Sequence, residues 1–142
     1  MLTCSRTATT LDAKMLAGLI VPDWISDEKL REISGQDVAN EIGGRCLLRY
    51  LRPEQMGSFF AGTSRKQYVT PTAYTPDEAS RWLALVFPWI LRRHVLLIDP
   101  KKIDRPVRGP RAIAGGFGIE YVLPEGFSAE AIANPGFDLE VT

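Results

Sequence analysis

Hydrophobic and polar positions change period at Gly43-Gly44. Before this pair the spacing is helical. Apolar residues recur near helical spacing from Leu11 to Ile20 and stop at Val21-Pro22. Ser26, with Lys29 three residues on, predicts the cap of a helix over Asp27 to Ile33, and Gly35 separates it from a helix over Gln36 to Ile42. After the pair, Arg45 to Leu51 reads as a strand, with Arg45, Leu47, Arg49 and Leu51 on one face. A subdomain boundary is therefore expected at the glycines, with a helical region over 1-43 and an α+β region over 44-142 of one compact chain.

Punctuation divides the second region further. Pro53 ends the strand, Glu54 to Ala61 predicts a short helix or turn carrying Phe59 and Phe60, and Gln67 to Thr72 is β-prone. Thr75, Pro76 and Glu78 form the start of a capped helix over 76–87 whose face of Ala79, Trp82, Leu83 and Val86 is suited to a sheet. His94 to Asp99 predicts a buried strand, Pro100 to Pro110 a basic loop, and Ile119 to Leu123 a strand closed by Pro124-Glu125-Gly126. From Ser128 to Val141 we expect a short helix, a turn at Asn134-Pro135-Gly136 and a terminal strand.

Charge changes the picture mainly through its distribution. Seventeen Lys and Arg balance seventeen Asp and Glu, which excludes a histone-like or polybasic mode of binding. Residues 92–111 nevertheless carry seven bases against two acids, between an acidic start and an acidic end. This belt (Arg92, Arg93, Lys101, Lys102, Arg105, Arg108, Arg111) reads either as a phosphate-binding surface or as a solvated face that offsets the acidic ends. Cys4 and Cys46 stand far apart with no Cys-x-x-Cys, so neither a zinc site nor a disulfide-dense secreted scaffold is expected, and cytosolic chemistry is. No apolar run approaches the roughly 20 residues of a membrane helix, and the start lacks a small-residue cleavage site, so a soluble chain with no membrane partner is expected.

Little conventional catalytic equipment is present. His94 is the only histidine, so any triad or His-based metal site must pass through it, and no metal is expected. The glycines of 115–118 precede a strand and not a helix, which excludes a dinucleotide-type anion site there.

Three segments are informative when taken in order: a strand with a central arginine (Leu47-Leu48-Arg49-Tyr50-Leu51), a β-edge with hydroxyls (Tyr68-Val69-Thr70-Pro71-Thr72) ahead of a capped helix, and a strand Glu120-Tyr121-Val122-Leu123-Pro124-Glu125-Gly126. Over about residues 45 to 127 this order resembles the mono-ADP-ribosyltransferase toxins of the arginine, serine, glutamate class. In them an arginine strand, a Ser-Thr-Ser edge and a glutamate followed by Val-Leu-Leu-Pro-x-Gly occur in that sequence. The resemblance implies an α+β fold with N-terminal helices on a split, mostly antiparallel pair of sheets around a cleft. It also implies that NAD is consumed as substrate.

Under this resemblance Glu120 stabilises the cation-like sugar formed as the nicotinamide bond breaks, much as glycosidase carboxylates do. Arg49 holds the pyrophosphate and ribose with its fork of donors, Thr70 and Thr72 position the ribose and Glu120, and Tyr68, Tyr74 and Phe60 are candidates for the nicotinamide wall. One departure is informative. Members that modify arginine or asparagine carry Glu or Gln two residues before the catalytic glutamate, where this chain has Gly118. The acceptor is then a macromolecule other than through a guanidinium, or water. A toxin or effector of this kind would act in a target cell's cytosol, be delivered by another chain or by residues removed from this one, and have a cognate immunity protein. Two other classes remain open: a metal-independent ribonuclease using His94, Arg65, Lys66 and the 92–111 belt, and a non-catalytic partner-binding domain.

Overall fold

The computed structural model describes residues 18–51, 61–71, 94–113 and 119–138. The expected helix over 76–87, the glycines of 115–118, and Phe60, Thr72, Tyr74, Arg92 and Arg93 lie outside them, as does most of the stretch from Leu11 to Ile20.

The chain is mixed α+β, and among the described residues the strand ladders are antiparallel. In chain order the elements are β1 (Glu32–Ile33), α1 (Gly35–Glu41), β2 (Leu47–Leu51), β3 (Gly62–Thr63), β4 (Gln67–Val69), β5 (His94–Ile98), β6 (Val107–Ala112), β7 (Ile119–Leu123), β8 (Phe127–Ser128) and β9 (Ile132–Asp138). One sheet has the order β1-β6-β7-β4, a second β2-β5-β9, and β3 pairs with β8. The two larger sheets meet at one bridge, where Leu48 N–H donates to Thr70 O (2.7 Å) and Thr70 N–H donates to Leu48 O (3.0 Å).

The central strands are buried on both faces, along Leu47–Leu48, Val95 to Ile98 and Tyr121 to Leu123. Val69, Tyr121 and Leu123 from the first sheet and Leu47, Leu96 and Ile98 from the second form one core with Val38 and Ile42 at α1. Tyr121 is fully buried, and its hydroxyl donates to Glu41 Oε2 of α1 (3.0 Å), which satisfies the polar end of a side chain placed for its apolar body. Burial first, and then the Glu41 carboxylate, push its phenol well above the ordinary range.

Several sequence expectations are corrected. The stretch Asp27 to Ile33 is a 3₁₀ turn (Asp27–Lys29) followed by β1, and Ser26 makes no capping bond. Pairing of Glu32 and Ile33 with Arg108 and Val107 overrides the helical spacing. The working cap is Ser34, whose hydroxyl accepts from Asp37 N–H while Asp37 accepts from Ser34 N–H. Gly35 is accordingly the first residue of α1 and not a spacer: a Cβ there would meet Pro100 O at 2.1 Å, so the helix approaches the Pro100–Lys102 turn at a distance that only glycine permits.

The basic segment 100–110 is not a loop throughout, because β6 begins at Val107 and runs through Arg108 and Arg111. Nor does Asn134-Pro135-Gly136 end a strand. β9 passes through it, and register shifts against β5 accommodate a proline that cannot donate to the ladder. Cys46 is buried and disulfide-bonded; Cys4, the only other cysteine in the sequence, lies outside the described residues. Among the described residues no helix is long and apolar enough to cross a membrane.

The turn after β7 gives a stability test. Gly126 has φ +70°, and a Cβ on it would lie 2.1 Å from Thr63 O. Gly126→Ala is expected to cost roughly 1–2 kcal/mol through the left-handed backbone alone, and more through that clash, read as a lower urea midpoint at unchanged slope.

Candidate functional site

Two antiparallel partners flank β7. On one side Val69 pairs with Tyr121 and Tyr68 with Val122, and carrying that register one residue further sets Thr70 against Glu120. On the other side Arg111 pairs directly with Glu120. A register irregularity between Arg108 and Arg111 inserts one extra residue in β6, so Arg111, and not Pro110, stands opposite the glutamate.

Across this face runs the N-terminal segment. Its near end joins β6 where Val21 N–H donates to Pro110 O (3.2 Å) and Ala112 N–H donates to Val21 O (3.0 Å). Its far end joins β6 again through β1. Between the two anchors Asp27 reaches over β7 to β4, where Lys66 Nζ and Tyr68 Oη each donate to its Oδ2 at 2.8 Å. Within the region 1–43, the stretch from Val21 to Ile33 is thus a strap fixed at both ends to the sheet that carries Glu120.

Arg111 joins strap and sheet. Its Nε and Nη2 donate to Glu120 Oε1 at 2.9 and 2.6 Å, and its Nη1 donates to Asp27 Oδ1 and Ile25 O, both at 2.7 Å. The Arg111 side chain is 9% exposed, and those of Asp27 and Glu120 are 17%. Low exposure makes this the kind of ion pair whose members cannot be separated cheaply. The carboxylate is therefore pinned through Oε1, while Oε2 has no donor among the described residues.

The two acids respond differently to this setting. Burial pushes the Glu120 carboxyl above its ordinary range, and the Arg111 bonds and charge offset only part of that shift. Burial also acts upward on Asp27, but hydrogen bonds from Lys66, Tyr68 and Arg111, with the Arg111 charge, outweigh it and hold the group at about 2. Because the folded Asp27 is the stronger acid, its stabilising contribution is complete above the unfolded pKa near 4 and is lost as pH falls toward 2. Asp27→Asn is therefore expected to flatten that part of the stability curve in urea titrations at stepped pH, and an unchanged acid slope would show that Asp27 does not produce it.

The other expected site residues fall into three groups. Thr70 is buried at the junction of the sheets, one register step from Glu120. Tyr68 is on the Glu120 face and 46% exposed, with its hydroxyl on Asp27. Arg49 is elsewhere: its Nε donates to Gln67 Oε1 (3.1 Å), and Gln67 shares the β4 face of Val69, which packs toward α1. Alternation along β4 puts Tyr68 and Thr70 on the opposite face. The structure brings Glu120, Thr70 and Tyr68 to one face and leaves Arg49 on the other; Thr72, Tyr74 and Phe60 lie outside the described residues.

Much of the basic belt is used internally. Arg105 Nη1 donates to Thr63 O (2.8 Å) and Glu125 O (2.9 Å), and Arg108 Nη1 donates to Glu28 O and Leu30 O while its Nη2 meets Glu32 (3.1 Å). With Arg111 also committed, three of the belt's arginines tie segments together, and of its described residues Lys101 and Lys102 are exposed. The sequence reading missed Asp27 and the pairing of Arg111 with Glu120. Arg111 stands nine positions before Glu120 across a glycine-rich link, a hairpin spacing that would have suggested the pair had β6 been recognised as a strand. Among the described residues no group of three His, Cys, Asp or Glu side chains is placed to hold a metal. No protein-family model, curated protein or solved structure matches the chain.

Proposed function

We propose that the chain is an NAD-consuming enzyme of the mono-ADP-ribosyltransferase type, acting as a toxin or effector domain, with Glu120 as its catalytic carboxylate. The observation that carries this reading is the state of Glu120: one oxygen fixed by Arg111, the other with no donor among the described residues, on β7 beside β4, which Thr70 directly follows. A carboxylate fixed through one oxygen suits a cation-like ribose, since it presents negative charge without reorganising and can accept from a sugar hydroxyl. In the reaction, nicotinamide leaves with the electron pair of the glycosidic bond and loses its own pyridinium charge. The ribose carbon is left electron-poor until an acceptor oxygen or nitrogen closes on it.

The sheet arrangement supports the same reading. The three strands of the motif lie side by side as β7, β4 and β2, and the two sheets are joined at the Leu48–Thr70 bridge, as a split-sheet fold of this family implies. The placement of Arg49 argues for a different residue on the pyrophosphate. The disulfide at Cys46 supports a secreted or delivered chain over a resident of the reducing cytosol, and a cognate immunity protein is part of that proposal.

Gly118 leaves no side chain to activate a guanidinium acceptor, so transfer goes to another macromolecular group or to water. The test supplies NAD labelled on the adenylate side to the protein in a bacterial lysate and follows the label. Label in protein, nucleic acid or free ADP-ribose supports the reading, with free agmatine expected to be a poor acceptor. Intact NAD beside degraded RNA, in chelator, would support the nuclease reading instead.

A further inference from the structure

Building on the NAD-cleaving reading of this site, we infer that Arg111 is a positioning residue for Glu120, and that Asp27 of the N-terminal strap fixes Arg111 in that role. The geometry supports this at each step. The extra residue in β6 sets Arg111 opposite Glu120, and four of the five guanidinium donors are then used, two on a single glutamate oxygen and two on the strap. A guanidinium is planar, so bonds to Asp27 Oδ1 and Ile25 O on one edge fix the angle at which the other edge meets Glu120. Lysine offers a point charge and cannot transmit that angle.

Asp27 is itself held from β4, by Lys66 and Tyr68, so the strap is anchored on both sides of β7. Among the described residues, the charged and titratable groups that face the pair are Asp27 and Glu28 from the strap, Lys66 and Tyr68 at β4, and Arg108 from β6. Catalysis by the carboxylate needs its ionised form, and Arg111 favours that form while Asp27 opposes it by sharing the guanidinium and by its own charge. The strap therefore sets both the aim and the charge of Glu120, and the site is complete only with the strap in place.

Two variants separate this role from a structural one, because they should act on Glu120 in opposite directions. Arg111→Gln should lower kcat for NAD cleavage about a hundredfold, as misplacement of a reacting group does, and move the acid limb of the kcat profile to higher pH. Asp27→Asn should move the limb to lower pH, with KM changed less than kcat in both. Arg111→Lys should restore the limb toward the wild-type position without restoring kcat. The same opposite shifts are expected in a carbon-detected carboxyl titration of Glu120, which requires no turnover and keeps the test informative if Arg111→Gln is too unstable to assay. A wild type that cleaves NAD, with the Glu120 titration unmoved or moved the same way in both variants, overturns the assignment of Arg111 and leaves Glu120 in place. A wild type that leaves NAD intact removes the reaction, and with it any positioning role.

Discussion

Arg111→Leu is expected to destabilise the protein by about 3–5 kcal/mol, the range found when one partner of a buried ion pair is removed and the other is left uncompensated. The loss falls unevenly on the two acids. Asp27 keeps Lys66 and Tyr68, whereas Glu120 has no other hydrogen-bond donor among the described residues. The penalty is therefore mainly that of a buried, unpaired carboxylate at Glu120, which the protein can reduce by keeping the group protonated. Its size should shrink as pH is lowered toward the carboxylate range. Replacing both members, Arg111→Leu with Glu120→Leu, should cost less than Arg111→Leu alone, because two apolar groups leave no stranded charge. Urea unfolding of the wild type, both single variants and the double variant gives the coupling energy directly. A double variant as unstable as the sum of the singles would show that the pair is not a unit.

Glu120→Gln is expected to lower NAD cleavage by about 10²–10³-fold, the effect of removing a principal electrostatic contribution to a charged transition state. Glutamine keeps the length of the side chain and an oxygen that still accepts from Arg111, so folding is expected to survive. What it loses is the carboxylate's negative charge. If the rate is unchanged in a folded Glu120→Gln variant, Glu120 is not part of the mechanism, and the carboxylate–guanidinium pair is only a structural joint between β6 and β7.

The sequence was most legible where the signal is local. β2, β5 and β7 lie within a residue or two of the strands expected at Arg45 to Leu51, His94 to Asp99 and Ile119 to Leu123, because alternating or continuous apolar runs ended by proline and glycine need no knowledge of neighbours. β6 was hidden by its charge. Arg105, Arg108 and Arg111 read as solvated, yet each is satisfied by carbonyls or carboxylates from segments far along the chain, a pairing that no local window contains. β1 was hidden for a related reason: two residues of strand hold their conformation only by pairing with β6. The candidate site divides in the same way. Glu120, Thr70 and Tyr68 stand within motifs that can be read in order, whereas Asp27 reaches the site by the path of the strap, and Arg111 by one inserted residue in its ladder. Arg49 holds its place in the motif along the sequence, while its bond to Gln67 puts it on the β4 face opposite Tyr68 and Thr70.

The central claim is that Glu120, held by Arg111 through one oxygen, serves the cleavage of NAD. The most direct measurement is nicotinamide release from NAD by the purified full chain with its disulfide intact, quantified chromatographically against Glu120→Gln at equal folded concentration. The account predicts release by the wild type and near-background release by the variant. Equal release from the two, or none from the wild type with water and a bacterial lysate both available as acceptors, would contradict it.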